Sequence, residues 1–244
     1  MSLCCLAMCR APLHPIAPSY SSNADFHHSE HSSTTIKKMQ LLYSTSSPFV
    51  RKTVLLAHAL GLDHCIEWLP SAASPLKRDP RITARNPLGK VPTLITDDGL
   101  ALVDSKVIAE YLCALAPDDA VLPAQGAGRW RLLRQQALAD GILDVAVGLR
   151  YENALRPEGL RWPDWTAAQM EKLEAALEAL QDEFAAPVPG APLNVGEIAT
   201  IAALGYLDLR YADFGWRTRY PRLAAAYASV WDRPEVRATT PVVA

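Results

Sequence analysis

Three short stretches carry side chains that could do chemistry together. Ser47 falls between an apolar run and Pro48, the place of a helix N-cap. A helix N-terminus offers unpaired N–H groups and partial positive charge, so a serine there can cap the helix or stand beside an anion brought to it. On spacing alone the plain cap suffices. Val91-Pro92 heads a strand-like run, where a proline, unable to donate to a sheet ladder, belongs. A cis bond at that point would leave the Val91 backbone open to pair with a ligand's backbone. Asp104-Ser105 opens a helical pattern. A capping aspartate followed by free N–H groups could hold an amine and a carboxylate side by side, the two charges of a free α-amino acid. A mere aspartate cap explains the dipeptide equally well.

The elements that must position these residues can be read in order. Gln40 to Ser44 is strand-like, and Val50, Val54 and Ala57 repeat at helical spacing until Gly61 closes the helix. His64 to Leu69 is a second strand candidate, and Ser71 to Arg85 reads as loop or broken helix. Val91 to Thr96 and Leu100 to Val103 flank Asp97-Asp98-Gly99, a hairpin signal. Val107, Ile108, Tyr111, Leu112 and Leu115 then form one helical stripe. A β-α-β unit followed by a hairpin and a helix is the order of a thioredoxin-type sheet. Pro117 to Gly128 is rich in Pro, Asp and Gly, and strand signals vanish beyond it. Arg129 to Leu155 is one long helical pattern; Met170, Leu173, Leu177, Leu180 and Phe184 mark a bundle helix. Asn194 with Glu197 resembles a capping box opening a helix through Leu209, and Pro221 starts another running to about Trp231. The fold class expected is therefore α/β plus all-α: a thioredoxin-like N-terminal domain over 39–116, a linker over 117–128, and an all-helical C-terminal domain over 129–244.

Composition narrows the function classes. The 244 residues carry 24 Lys plus Arg against 26 Asp plus Glu, for a net charge of -2. That balance argues against a nucleic-acid partner. No apolar stretch approaches the roughly 18 residues of a membrane span. Five cysteines, three of them at positions 4, 5 and 9, make no disulfide framework, and a cytoplasmic, reducing location is expected. Residues 1–38 read as a disordered leader, and a gene start extended beyond a true beginning at Met39 is the simplest account of them. His27, His28 and His31 lie in that leader and lack the supporting shell of a metal site, so no metal is expected.

Taken together, SSPFVRK (Ser46 to Lys52), NPLGKVPTL (Asn86 to Leu94) and VDSKVIAEYL (Val103 to Leu112) resemble the glutathione-binding half of the cytosolic glutathione transferases. The likeness is nearest to bacterial members with a Ser-Pro-Phe start, and it spans Met39 to Ala244. It implies that Ser47 faces the glutathione sulfur, where omega-like relatives carry Cys. It implies that Val91 precedes the family's cis-proline and pairs with the cysteinyl backbone. Asp104 and Ser105 match the acidic-Ser pair that holds the γ-glutamyl end, with Asp one methylene shorter than the commoner Glu. Lys90 matches a position that is polar in several relatives and near the tripeptide. A neighbouring hydroxyl cluster, Ser44, Thr45 and Ser46, crowds the same turn; the alignment selects Ser47.

The resemblance thus implies an enzyme in which glutathione, as co-substrate, conjugates or reduces a small electrophile, and a homodimer. Serine cannot form a mixed disulfide, and Cys65 and Cys113 lie on apolar-patterned segments as inert core thiols. The electrophile pocket is expected between the two domains along Arg129 to Leu155, where Asp140, Asp144, Arg150 and Tyr151 could reach it and none is singled out. A dehalogenase, isomerase or peroxidase built on the same thiolate is one alternative. A non-catalytic interaction module of transferase-like fold is the other.

Overall fold

A computed structural model describes residues 38–241. The leader histidines and the N-terminal cysteines lie outside the described residues. β1 (Met39–Tyr43) forms the centre of a four-stranded sheet of order β2-β1-β3-β4. It runs parallel to β2 (Ile66–Pro70), so the chain must cross over between them, and α1 (Pro48–Ala59) makes the crossing. β3 (Thr93–Ile95) pairs antiparallel with β1, Leu41 opposite Leu94, and antiparallel with β4 (Ala101–Val103). Gly99 makes the hairpin turn with a φ of 90°, a conformation glycine adopts without the Cβ clash that other residues meet. α2 (Pro80–Thr83) lies in the β2–β3 connection, and α3 (Ser105–Leu115) follows β4.

Strand alternation gives the sheet two covered faces. Leu41 and Leu94 join Leu55 and Leu56 of α1 and Ile108 and Leu112 of α3 in the main core. Leu42 packs with Val50, Ile82 and Val91 in a smaller cluster. The expected stripe on α3 holds for Ile108 and Leu112, while Val107 is 49% exposed: the helix presents a narrower face to the sheet than five apolar residues suggest.

The helical part comprises α4 (Gly126–Ala154), α5 (Pro163–Glu183), α6 (Val195–Arg210), α7 (Trp216–Arg219), α8 (Pro221–Val230) and α9 (Pro234–Ala238). α6 is buried from Val195 to Leu207 except at Glu197, consistent with its nearly all-round apolar sequence. Its capping box is complete: Glu197 N donates to Asn194 Oδ1 and Asn194 N to Glu197 Oε2, each at 2.9 Å. The second strand begins two residues later than its pattern suggests, because Asp63–Cys65 form a turn of 3₁₀-helix first. No helix among the described residues is long and apolar enough to cross a membrane.

Candidate active site

The site begins where β1 turns into α1. Ser47 N donates to Ser44 O at 3.1 Å, and Ser47 adopts an extended backbone at the N-cap of α1 with Pro48 following. Its Oγ accepts from Val50 N at 3.3 Å. That bond uses a lone pair and leaves the hydroxyl proton free to donate, so capping and facing an anion are compatible roles. The first turn of α1 contains no acidic residue to neutralise its positive end. Ser44 and Ser46 hydroxyls lie 3.3 Å apart and engage each other.

The Val91-Pro92 bond is cis. The loop before it is fixed by buried Asn86, whose Nδ2 donates to Lys90 O at 2.9 Å and Thr93 Oγ1 at 3.0 Å. Thr93 Oγ1 in turn donates to Lys90 O at 2.9 Å. Among the described residues the Val91 N–H and C=O have no backbone hydrogen-bond partner, so they can serve a ligand. The Lys90 side chain is exposed at the same edge.

Asp104 caps α3, its Oδ1 accepting from Lys106 N at 2.9 Å, with φ 72° and ψ 130°. It is the one non-glycine residue at positive φ among those described. Such a backbone costs about 1–3 kcal/mol and persists only where the surroundings impose it. The exposed carboxylate and the Ser105 residue beside it, only 4% exposed, line a cavity of about 120 Å³ with Lys90, Val91 and Asp144.

A larger cavity of about 500 Å³ shares Phe49, Lys90, Val91 and Asp144 with the first and reaches Ser47. All five residues expected from the sequence thus border one or the other of two cavities that share a wall and together make up the cleft. Its far wall belongs to the helical part: Asp144, Arg150 and Tyr151 from α4, Tyr206 and Arg210 from α6. Asp140 is absent from it; that carboxylate is buried against Lys52 Nζ at 2.6 and 2.8 Å. Phe49, from the Ser-Pro-Phe motif, lines the cleft as well, and Tyr206 and Arg210 belong to no motif of the sequence. Burial raises the Tyr206 phenol above its ordinary value, which keeps it a hydroxyl donor, while Arg210 and Arg150 act on it in the opposite sense. Beyond Tyr151 and Leu155 the cleft continues into an apolar hollow of about 710 Å³ walled by Leu160, Trp162 and Trp165. Burial, with Glu110 adding to it, pushes the Cys113 thiol up to about 11, and Cys65 is buried; neither borders the cleft.

Comparison with known proteins bears on the fold and the family. Residues 46–115 match the family model for the glutathione S-transferase N-terminal domain, and residues 163–229 that for the C-terminal domain. The chain is 32% identical to the uncharacterized GST-like protein YibF of Escherichia coli K12 over 83% of its own length and 98% of that protein's. It is similar to a crystal structure of a glutathione transferase family member from Pseudomonas fluorescens Pf-5 with bound glutathione. Identity there is 39%, coverage 84% of this chain and all of the other, and the TM-score 0.80. A second structure from Pseudomonas fluorescens Pf-5 carries S-(propanoic acid)-glutathione, with 38% identity, coverage of 84% and 100%, and a TM-score of 0.76.

Proposed function

The chain belongs to the glutathione S-transferase family, and on that premise we propose that it is a serine-type transferase presenting glutathione thiolate to a small electrophile. The observation that carries this reading is the pair of adjoining cavities, joined at Lys90 and Val91, that Ser47 borders on one side and Asp104 and Ser105 on the other. In this reading the γ-glutamyl amine meets the Asp104 carboxylate, and its carboxylate meets Ser105 and the first-turn amides of α3. The cysteinyl backbone pairs with Val91, the exposed Lys90 ammonium lies near the tripeptide, and the sulfur rests by the Ser47 hydroxyl. The glutathione and the S-alkylated glutathione held by the two Pseudomonas fluorescens structures support glutathione as substrate and its sulfur as the point of bond formation.

The size of the effect can be bounded. A free thiol has a pKa near ~8.5, so a few per cent is thiolate at neutral pH. A hydroxyl hydrogen bond to a charged sulfur contributes ~1.5–3 kcal/mol, equivalent to a drop of about one to two pKa units. Complete ionisation gains about thirtyfold in rate, or ~2 kcal/mol. Lower nucleophilicity of the more acidic thiol trims that gain, and positioning of the electrophile supplies the rest.

Ser47→Ala should cut turnover with a general electrophile roughly tenfold while moving glutathione affinity little, because the hydroxyl acts on the thiolate more than on the tripeptide. Stopped-flow kinetics and calorimetry check the two halves. Equal turnover would remove Ser47 from the mechanism, and no heat of binding at millimolar glutathione would favour the interaction-module alternative. The homodimer belongs to the same proposal, and sedimentation velocity reads it directly.

A further inference from the structure

Charge in the larger cavity is distributed unevenly. Arg156 and Arg217, elsewhere on the surface of the helical part, each have a carboxylate partner, Glu152 at 2.6 Å and Asp208. Arg150 and Arg210 have no carboxylate within salt-bridge distance among the described residues, although both border the cavity. Arg210 Nε is, moreover, the one buried side-chain nitrogen or oxygen without a hydrogen-bond partner among the described residues. A half-buried guanidinium left in that state costs free energy unless a ligand satisfies it. Tyr206, one helical turn before Arg210 on α6, lines the same cavity and is 3% exposed, its hydroxyl engaged with the Arg210 side chain.

These donors do not belong to the part of the cleft that suits glutathione's γ-glutamyl end: the small cavity of Asp104 and Ser105 contains neither arginine. Asp144, the acidic residue of the larger cavity, borders the small cavity as well, where an ammonium is expected.

We infer that Arg150, Arg210 and Tyr206 form a carboxylate subsite for the second substrate, and that the substrate class it serves is the α,β-unsaturated carboxylates. The inference rests on the transferase reading above. A free unsaturated carboxylate is a sluggish acceptor because electron density must move toward a group already charged. Two guanidinium groups at that end offset the developing charge in a site partly withdrawn from water. In the reaction the sulfur–carbon bond forms at the β-carbon and the π pair of the double bond moves onto the α-carbon and toward the carboxylate. The α-carbon then takes a proton from water. Nothing leaves and nothing is oxidised.

Calorimetry with two stable thioethers, S-(2-carboxyethyl)glutathione and its uncharged amide S-(2-carbamoylethyl)glutathione, tests this without catalysis. The intact chain should bind the carboxylate thioether roughly tenfold more tightly than the amide. Arg150→Met and Arg210→Met should each shrink that ratio severalfold, Arg210→Lys should keep most of it, and affinity for glutathione itself should move less than about twofold. As a kinetic companion, the acrylate-to-acrylamide ratio of kcat/KM should fall in the same variants. If glutathione binds and the intact chain does not prefer the carboxylate thioether, the subsite is overturned while the transferase reading stands. If glutathione affinity falls in step with the thioether's, the arginines serve the tripeptide and the subsite is again overturned. If glutathione does not bind at all, both fall.

Discussion

Ser47 serves two partners because a hydroxyl is both acceptor and donor. Its oxygen receives Val50 N at 3.3 Å to finish the helix, and its proton remains for the cleft. The cysteines illustrate the opposite case, a group whose surroundings remove its chemistry. With its thiol pushed up to about 11, Cys113 should react with iodoacetamide at pH 8 on the order of a hundredfold more slowly than in the urea-unfolded chain, its labelling rising only above about pH 10. Peptide mapping across a pH series reads this, and equal rates at pH 8 would show that burial does not hold the thiol protonated. Ser47, Val91, Asp104 and Ser105 were legible because each adjoins a backbone signal, a proline or the hairpin that precedes α3. Tyr206 and Arg210 were not. They lie inside an ordinary helical run, four residues apart, and which face of that run meets the cleft is decided by packing against α1 and α4. The positive φ of Asp104 was likewise invisible, since nothing in the residue type announces it.

At the scale of elements, α1 is held from behind by a buried cation. Arg51, 3% exposed, donates to Ile201 O at 3.2 Å and Val236 O at 3.3 Å, tying α1 to α6 and α9. Gly205 makes room for it: a Cβ there would fall 1.8 Å from Arg51 Nη1. Gly205→Ala should therefore destabilise by about 1–3 kcal/mol despite the better helix propensity of alanine, worth ~1 kcal/mol. Urea unfolding measures it, and a stability at or above that of the parent would mean that Arg51 has room to move. The loop that carries Ala73, Ser74 and Pro75 to the cleft is held differently. Asp79 caps α2 through Arg81 N at 2.9 Å, pairs with the Arg81 guanidinium and accepts from Ala72 N at 3.2 Å. The Arg81 guanidinium first, then these amides, bring its carboxyl down to about 2. A depressed value means that the contribution is complete above the unfolded pKa of ~3.9 and is lost as pH falls toward the folded one. Carboxyl NMR should show Asp79 titrating near 2 and the Ala72 amide shifting with it, whereas titration near 4 would contradict the arrangement. Elements with caps and several turns could be read directly. α7 and α9, with four and five residues, are too short to display a period, and only the completed helical core fixes them.

At the scale of the whole molecule, one buried ion pair joins the sheet-bearing half to the helical half behind the cleft. Lys52 Nζ on α1 meets both Asp140 oxygens on α4 at 2.6 and 2.8 Å, with side chains 3% and 1% exposed. Lys106, next to Ser105 on α3, reaches the same carboxylate at 3.9 Å. Burial draws the Lys52 ammonium down and the Asp140 carboxyl up, the directions in which each would lose its charge, and the mutual contact opposes both. Such a pair adds little net stability over apolar residues of equal volume, yet removing one member strands the other. What it supplies is register: α1, α3 and α4, which carry Ser47, Ser105 and Asp144 to the cleft, converge on one carboxylate. Asp140→Ala should accordingly lose ~3–5 kcal/mol and lower the melting temperature by about 10 °C or more. The double variant Lys52→Met with Asp140→Leu should recover most of that loss, because no charge is left unpaired in the interior. If the double variant melts as low as Asp140→Ala alone, the loss comes from packing at α4 and not from a stranded ammonium, and the ion pair is not what aligns the two halves of the site.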